Sequence, residues 1–542
     1  MPLMSGGDAV VRSLLAHGVS TVYALPGVQS DHLFNAFFDA GEAIRIVHTR
    51  HEQGAAYMAL GAALATGTPA AYSVVPGPGF LNSSAALATA YSTGAKVLAL
   101  IGQIPSRAIG KGFGFLHEIP DQLGILRTLT KSAERIDSPA AAPVLVAQAF
   151  QRLQSGRARP VALEVPPDML GAKADVTLAA PLAPEPPAAL DEDAIAQAAQ
   201  KLAAADCPVI FVGGGALDAA PEVHALAERL TAPVVGFRRG KGVLDNRHVL
   251  SHPLPGGHAL WAKADVVLAV GTRMFLPLSA WGTDDKLTII KVDVDPTEFL
   301  RMRAPVHGIA GDAAAVLRRL DQHLTKLEPM RQQRVAANRA LKQRVTADFQ
   351  KLGVILDYLK AIRDVLPDDG VLIDELTQVG YAARTAYEAR GPRTFISSGY
   401  QGTLGWGIAT ALGAKHALGG APVVALSGDG GFMFNVQELA TAVRHRIPIV
   451  VILFNDGAYG NVRNMQKKDH GNRVIGSDLA NPDFMRLADS FGIGGYRAKD
   501  PAGLRTALAQ ALAKNEPAII EVPCGDLPDP WQFIDMPKMR GL

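Results

Sequence analysis

Short apolar, β-branched runs alternate with Ala-rich stretches along the chain. Ile46-Val47, AAYSVV (70–75), KVLALIG (96–102) and RPVALEVPPD (159–168) read as buried strands, and the stretches between them, such as EQGAAYMALGAALATG (52–67), have helical length and few charges. That rhythm predicts βαβ units around a parallel sheet. A second block repeats it with CPVIFVGGG (207–215), APVVGF (232–237), ADVVLAVGT (264–272) and KLTIIKVDVDP (286–296), and a third with VLIDE (371–375), APVVALSGDGG (421–431), IPIVVILFND (447–456) and EPAIIEVPCGD (516–526). Between the first two lies KADVTLAAPLAPEPPAALDED (173–193), whose clustered prolines disfavour helix and sheet interior, so it is expected to run extended as a linker. A charged helical stretch, KLEPMRQQRVAANRALKQR (326–344), leads into the third block. RPVALEVP (159–166) and EPAIIEVP (516–523) share a pattern, which points either to duplication of the outer blocks or to coincidence between two Val-rich strands.

Composition narrows the function classes. A chain of 542 residues suggests three or four domains at about 150 residues each. With 53 Lys plus Arg against 51 Asp plus Glu there is no basic field for a polyanion, so nucleic acid is not an expected partner. Cys207 and Cys524 are too few for a disulfide framework or a thiolate metal site and suit a reducing compartment, so the expected location is cytoplasmic. The N-terminal MPLMSGGDAVVRSLLAHG lacks a basic region followed by an apolar run, and no apolar stretch approaches the roughly 18 residues of a membrane span. No membrane partner is expected.

The densest chemistry lies in LSGDGGFMFNVQELATAVRHRIPIVVILFNDGAYG (426–460). One apolar strand delivers Gly428-Asp429-Gly430-Gly431 and the next delivers Asn455-Asp456-Gly457, so both acids fall at the carboxyl ends of strands, the edge where open α/β sheets bind ligands. Glycines let backbone N–H groups approach an anion, and two converging carboxylates suit Mg²⁺ bridging to a diphosphate. Either Asp-Gly alone would pass as an ordinary turn; the pair, on adjacent strands, argues for a site.

This segment resembles the cofactor motif of thiamin-diphosphate (ThDP) enzymes, a GDG followed after a helix and a strand by an Asn-Asn pair. The resemblance assigns the metal ligands to Asp429, Asp456 and the carbonyl of Ala458, with Asp456 standing where the family has its second Asn. That departure keeps an oxygen ligand and adds a negative charge beside the diphosphate; catabolic acetolactate synthases look alike here. In TRHEQGAAYMALGAALATG (49–67) Glu52 takes the place of the family's catalytic glutamate, which hydrogen-bonds the pyrimidine and promotes the tautomer that starts the reaction. Its bland alternative is a helix-dipole charge, and HEQGA lacks the second His of a zinc protease motif. SSGYQGTLGWGIATALGAKHA (397–417) resembles the glycine-rich stretch before GDG, with Gly402 presenting a carbonyl to the cofactor and Leu404 wedged beneath it. Thr377 and Gln378 match the diphosphate loop, and Pro26, Gly27, Gly428, Gly430, Gly431 and Tyr459 complete the implied cofactor contacts. Gln103, His117, Val462 and Met465 are the implied substrate-pocket residues; His117 replaces the glutamine of a family Phe-Gln-Glu, and a lone His is more often structural than catalytic.

The resemblance spans the chain and implies an α/β fold of three doubly wound parallel-sheet domains: a pyrimidine-binding domain (1–172), a linker (173–190), a central domain (191–325), a helical linker (326–350) and a diphosphate-binding domain (351–542). The implied cofactors are ThDP and Mg²⁺. FAD is not favoured: GTRM (271–274) keeps an arginine like one of its contacts, but VGGGALDAAP (212–221) breaks G-x-G-x-x-G with Asp218. RRGKGV (238–243) lacks the Ser or Thr of a phosphate-binding Walker loop. The expected activity is cleavage or formation of a C–C bond beside a carbonyl, most simply a 2-oxo acid decarboxylase or carboligase resembling acetolactate synthase. A flavin-dependent 2-oxo acid oxidase and a non-catalytic ThDP-binding regulatory protein are the alternatives. Partners are then a 2-oxo acid or aldehyde and further copies of the chain, a homodimer at minimum and a homotetramer as the fuller assembly.

Overall fold

A computed structural model describes residues 2–301, 306–324 and 332–541. Three six-stranded parallel sheets follow one another along the chain. The first consists of β1 (Thr21–Ala24), β2 (Arg45–His48), β3 (Ala70–Val74), β4 (Val97–Gly102), β5 (Ser132–Arg135) and β6 (Val161–Val165). The central sheet holds β7 (Pro208–Val212), β8 (Val234–Gly236), β9 (Ser251–His252), β10 (Val266–Val270), β11 (Thr288–Asp293) and β12 (Val306–Ala310). The third is built of β13 (Val371–Ile373), β14 (Phe395–Ile396), β15 (Val423–Gly428), β16 (Val450–Asn455), β17 (Gly494–Arg497) and β18 (Ala518–Pro523). Helices cover the sheets. Five matter below: α1 (Glu52–Thr66), α2 (Ala220–Leu230), α3 (Gln378–Ala386), α4 (Trp406–Leu418) and α5 (Gly460–Asp469).

The first and third sheets have the same strand order, β2-β1-β3-β4-β6-β5 and β14-β13-β15-β16-β18-β17, whereas the central order is β9-β8-β7-β10-β11-β12. The likeness extends to a side-chain network. Buried Glu164 on β6 pairs with Arg135 on β5 at 2.7 Å and accepts from Gln103, just past β4, at 2.5 Å. Buried Glu521 on β18 pairs with Arg497 on β17 at 2.8 Å and accepts from Asn455, at the end of β16, at 2.8 Å. Two Val-rich strands do not share such a network by chance, so duplication of the outer domains is the better reading of the repeated EVP strand.

Domains one and three are joined by α1 crossing α4. Both helices are buried almost all round because their sequences are Ala, Gly and apolar residues on every face. Gly61 sits so close to Thr410 that a Cβ would lie 2.0 Å from the Thr410 carbonyl oxygen, and one on Gly413 would lie 1.9 Å from that of Met58. A segment past β18 returns to the central domain. On the way Trp531 donates to Asn461 Oδ1 of the third domain at 2.7 Å, and in the central domain buried Arg540 donates to the carbonyl of Trp261 and to Asp284, each at 2.7 Å.

One expectation needs correction. Lys173–Asp175 is not extended linker: it pairs antiparallel with Leu3–Ser5, closing the ends of the first domain on each other. The prolines begin only at Pro181, so nothing in KAD opposed a strand. Of the charged stretch 326–344, residues 326–331 lie outside the described residues and the remainder belongs to a helix, Gln332–Asp348.

Candidate functional site

β15 and β16 are neighbours in register, Gly428 opposite Phe454, so Asp429 and Asp456 leave the same sheet edge side by side. Glycine is required around them by space. A Cβ on Gly430 would lie 2.6 Å from the Tyr459 ring, and one on Gly428 would lie 3.1 Å from Thr377. Gly457 turns the chain at φ +66°, and the loop after it is clamped by Tyr459 N–H donating to Ser477 O and Leu479 N–H to Gly457 O, both 2.8 Å. This fixes Ala458, which bridges Asp478.

Asp429 is 1% exposed, and its Oδ2 accepts from Asn481 Nδ2 at 2.6 Å; the same nitrogen reaches Asn455 Oδ1 at 3.0 Å. Burial, and then the charge of Asp429, push the Asp456 carboxyl up from 3.8 to about 6. The Ala458 N–H at 3.2 Å and Arg463 at 3.8 Å offset this only in part. Burial, with the same two carboxylates nearby, also pushes the Cys524 thiol up to about 12. A carboxylate whose ionisation is made costly by burial and by a second carboxylate beside it gives, with that neighbour, a donor set suited to a hard divalent cation. The residues present therefore fit Mg²⁺.

Behind the glycines lies Glu375, 1% exposed, a residue the sequence reading quoted in VLIDE without giving it a role. It accepts from the Gly405 N–H and the Ser427 hydroxyl, and a Cβ on Gly431 would lie 2.7 Å from it. Burial raises its carboxyl to about 7. Glu375 thus ties β13, β15 and the start of α4 together under the GDG turn. Thr377 caps α3 by accepting from Gly380 N–H at 2.8 Å, and Gln378 is buried with its Oε1 unpartnered. Gly402 turns at φ +55°, followed by half-buried Leu404. Val462 and Met465 lie on α5 about half exposed, and Phe434, in the turn after the GDG glycines, is exposed to the same extent.

Glu52 begins α1 directly after β2. Its Oε2 accepts from Asn82 Nδ2 at 3.0 Å, and its Oε1 would lie 3.5 Å from a Cβ on Gly79. Gly27 and Gly79 both press on Val75, each with room for no Cβ, so Gly27 and Glu52 face one patch, with Pro26 exposed beside it. His117 flanks the same β3–helix turn: its carbonyl abuts Gly77, its backbone is left-handed at φ +71°, and its buried Nδ1 has no partner. Such backbone strain in a non-glycine residue concentrates at functional sites. Gln103 departs from expectation. It is 4% exposed with its amide nitrogen on Glu164 and its oxygen on Ile104 N–H, so it belongs to the strand-end network and not to a pocket wall.

Two clusters therefore exist. Asp429, Asp456, Thr377, Tyr459 and the glycines come together on the third domain, and Glu52, Gly27 and His117 on the first. Among the described residues no hydrogen bond or ion pair joins Glu52 to the acid pair. The α1 N-terminus is instead held by Glu438, which accepts from the N–H groups of Arg50 and His51 at 3.2 and 3.0 Å. A cavity of about 1270 Å³ opens where the three domains meet, lined by Gly214, Arg239, Thr272, Arg273, Asp293 and Tyr400 among others.

Three family models match: thiamine pyrophosphate enzyme, N-terminal TPP binding domain, over residues 4–125; the central domain over 195–320; and the C-terminal TPP binding domain over 376–522. The chain is 35% identical to a probable 2-ketoarginine decarboxylase, AruI, of Pseudomonas aeruginosa, covering 96% of this chain and 94% of that protein. It is 31% identical to a probable acetolactate synthase large subunit of Methanocaldococcus jannaschii (96% and 92%) and 30% identical to an acetolactate synthase of Bacillus subtilis (96% and 93%).

Proposed function

The chain belongs to the thiamine pyrophosphate enzyme family, and from that premise we propose that it is a ThDP- and Mg²⁺-dependent 2-oxo acid decarboxylase whose preferred outcome is release of an aldehyde or transfer to a neutral acceptor. The observation that carries the metal assignment is the acid pair at one sheet edge, with Asp456 raised to about 6 by burial and by Asp429. In this reading Asp429, Asp456 and the Ala458 carbonyl hold Mg²⁺, while Gly428, Gly430, Gly431, Thr377, Gln378 and Tyr459 cradle the diphosphate. Gly402 and Leu404 position the rings together with Pro26 and Gly27. The bound cofactor supplies the electron sink for the cleaved bond. Glu52 holds and moves a proton at its carboxyl oxygen, with Asn82 at 3.0 Å keeping that carboxyl in place. Half-exposed Phe434, Val462 and Met465 await a facing surface, which supports a homodimer at minimum and a homotetramer as the fuller assembly. We assign the enzyme to the cytoplasm on its two unpaired cysteines.

The preference for decarboxylation rests on two positions. By resemblance, acetohydroxyacid synthases hold the substrate carboxylate with an arginine where this chain has Pro277, and favour 2-oxobutyrate with a tryptophan where it has Met465. Pro277 is buried and offers no charge, and Met465 is 52% exposed, an adaptable apolar wall. Loss of a charge-assisted bidentate contact costs about 1.5–3 kcal/mol of discrimination. The name of the 35%-identical relative, a probable 2-ketoarginine decarboxylase, supports the same direction. The three-domain cavity, with Arg239 and Arg273 on its wall, favours a second reading in which FAD also binds; a flavin absorption band in the purified protein decides that.

The test loads the protein with ThDP and Mg²⁺ and follows CO₂ and products over a panel of aliphatic, cationic and aromatic 2-oxo acids, then offers pyruvate with 2-oxobutyrate or an aldehyde. Aldehyde or mixed-aldehyde products are expected. Rapid, selective formation of the branched acetohydroxy acid would overturn the preference and send attention to Arg463 and Arg273 as carboxylate partners. Absence of any turnover would favour a regulatory ThDP-binding protein.

A further inference from the structure

On the outer face of the central domain, far in sequence from either cluster, three side chains converge. His224 and Glu228 lie one turn apart on α2, and His248 comes from the turn 245–250 before β9. Their ligand atoms, two imidazole nitrogens and a carboxylate oxygen, lie within 4.8 Å of one another, and among the described residues no other three His, Cys, Asp or Glu side chains gather so closely. Glu228 Oε1 is 3.4 Å from His224 Nε2 and 3.6 Å from His248 Nε2. Charge-assisted hydrogen bonds would draw these atoms to about 2.7–2.9 Å. The two Glu228 spacings are instead close to the roughly 3.3–3.4 Å edge of a tetrahedron whose metal bonds are about 2.0–2.1 Å, and the two imidazole nitrogens, within 4.8 Å of each other, need only side-chain rotation to close the third edge. The two rings meet edge to face at 5.1 Å, so each presents its nitrogen toward Glu228 without stacking on the other.

We propose that His224, Glu228 and His248 form a surface site for a borderline divalent transition metal, Zn²⁺ by preference, that staples α2 to the 245–250 turn. Two imidazoles and one carboxylate select Zn²⁺ over Mg²⁺ or Ca²⁺, and the half-exposed His224 and Glu228 leave a fourth position for water. One feature limits the affinity. Leu250 N–H donates to His248 Nδ1 at 3.2 Å, so the free neutral ring carries its proton on Nε2, and binding through Nε2 requires the proton to move to Nδ1 and that bond to be given up. The site is therefore of moderate affinity.

The staple has structural leverage. Asn246, in the same turn, exchanges two hydrogen bonds with Ala389 of the third domain at 3.1 and 2.8 Å. Lys342 Nζ donates to the carbonyls of both Asn246 and His248 at 2.6 and 2.7 Å. Fixing His248 to α2 thus restrains the junction of the central and third domains.

The experiment titrates ZnCl₂ into the holoenzyme, with ThDP and excess Mg²⁺ present so that the acid pair is engaged, and follows heat and thermal unfolding; CoCl₂ serves as a spectroscopic probe. Wild type is expected to take one Zn²⁺ per chain with a Kd of about 1–50 μM and to gain a few degrees in Tm. His224→Ala and Glu228→Gln, both on the exposed face of α2, should each lower the affinity about tenfold or more and abolish the Tm gain, with Mg²⁺-dependent turnover unchanged. Wild-type protein that binds no Zn²⁺ in this range, or variants that bind it as wild type does, would overturn the proposal. Because turnover is read separately, failure here leaves the proposed reaction standing, and the reverse also holds.

Discussion

Asp456→Asn isolates the electrostatic cost built into the acid pair. The Asp456 carboxyl sits at about 6 against an ordinary 3.8, raised first by burial and then by Asp429. Because the folded value lies above the unfolded one, the folded state binds more protons between those values. Stability without a bound cation is therefore greatest below about pH 4 and falls as pH rises toward 6. A shift of about two units corresponds to about 3 kcal/mol, and discounting for the group's partial contact with solvent brings the cost to on the order of 1 kcal/mol at pH 7.5. Asparagine removes it while keeping a coordinating oxygen. Cation-free Asp456→Asn should therefore unfold at higher temperature than wild type at pH 7.5 and lose that advantage at pH 4. In the wild type, ionisation of Asp456 drops from about nine-tenths at pH 7 to about one-tenth at pH 5, so Mg²⁺-dependent ThDP affinity should fall close to tenfold over that range. The variant lacks this titration and should show a flatter profile. Calorimetric titration at four pH values, with scanning calorimetry of the cation-free proteins, checks both halves. A variant less stable than wild type at pH 7.5, or one with an unchanged pH slope, would refute the reasoning.

Glu52→Gln should still bind ThDP but slow proton exchange at the cofactor's reactive carbon by about 10²-fold or more, measured by quenched-flow NMR; exchange at the wild-type rate would remove Glu52 from the chemistry. Gly413→Ala places a Cβ 1.9 Å from the Met58 carbonyl oxygen, where only backbone movement can make room, and should destabilise the fold by about 3 kcal/mol in thermal or urea unfolding. Arg540→Ala strips the bonds to Trp261 and Asp284 from a buried guanidinium and should cost about 2–3 kcal/mol by the same measurement, whereas Arg540→Lys should recover only part of it.

That the two acids share one sheet edge was readable in the sequence because the pattern is local: a strand, a glycine turn and an acid, twice, with Asp456 visible as a departure from the family's asparagine. The partners of those acids were not. Asn481 lies 25 residues beyond Asp456 in a segment without motif and reaches Asp429 only through the tertiary fold. Glu375 looked like one of two acids after a strand, and nothing local distinguishes it, bonded under the glycines, from Asp374, which is paired with Arg384 at 2.6 Å. Gln103 misled for the same reason. The family resemblance marked it for a pocket, but a buried glutamate on the neighbouring strand claims its amide. Even the repeated EVP strand became decisive only when the ion pairs across β5–β6 and β17–β18 could be compared.

The crossing of α1 and α4 also bears on how the protein is made. Contacts such as Gly61 with Thr410 and Gly413 with Met58 join segments roughly 350 residues apart. At about 5–20 residues per second, α1 leaves the ribosome about 20–70 seconds before its partner exists. For that interval a helix destined to be covered on every side is open to the cytosol and to other nascent chains. Chaperone capture of the unfinished chain during translation, and a yield that improves when chaperones are abundant, follow from this one joint between the first and third domains.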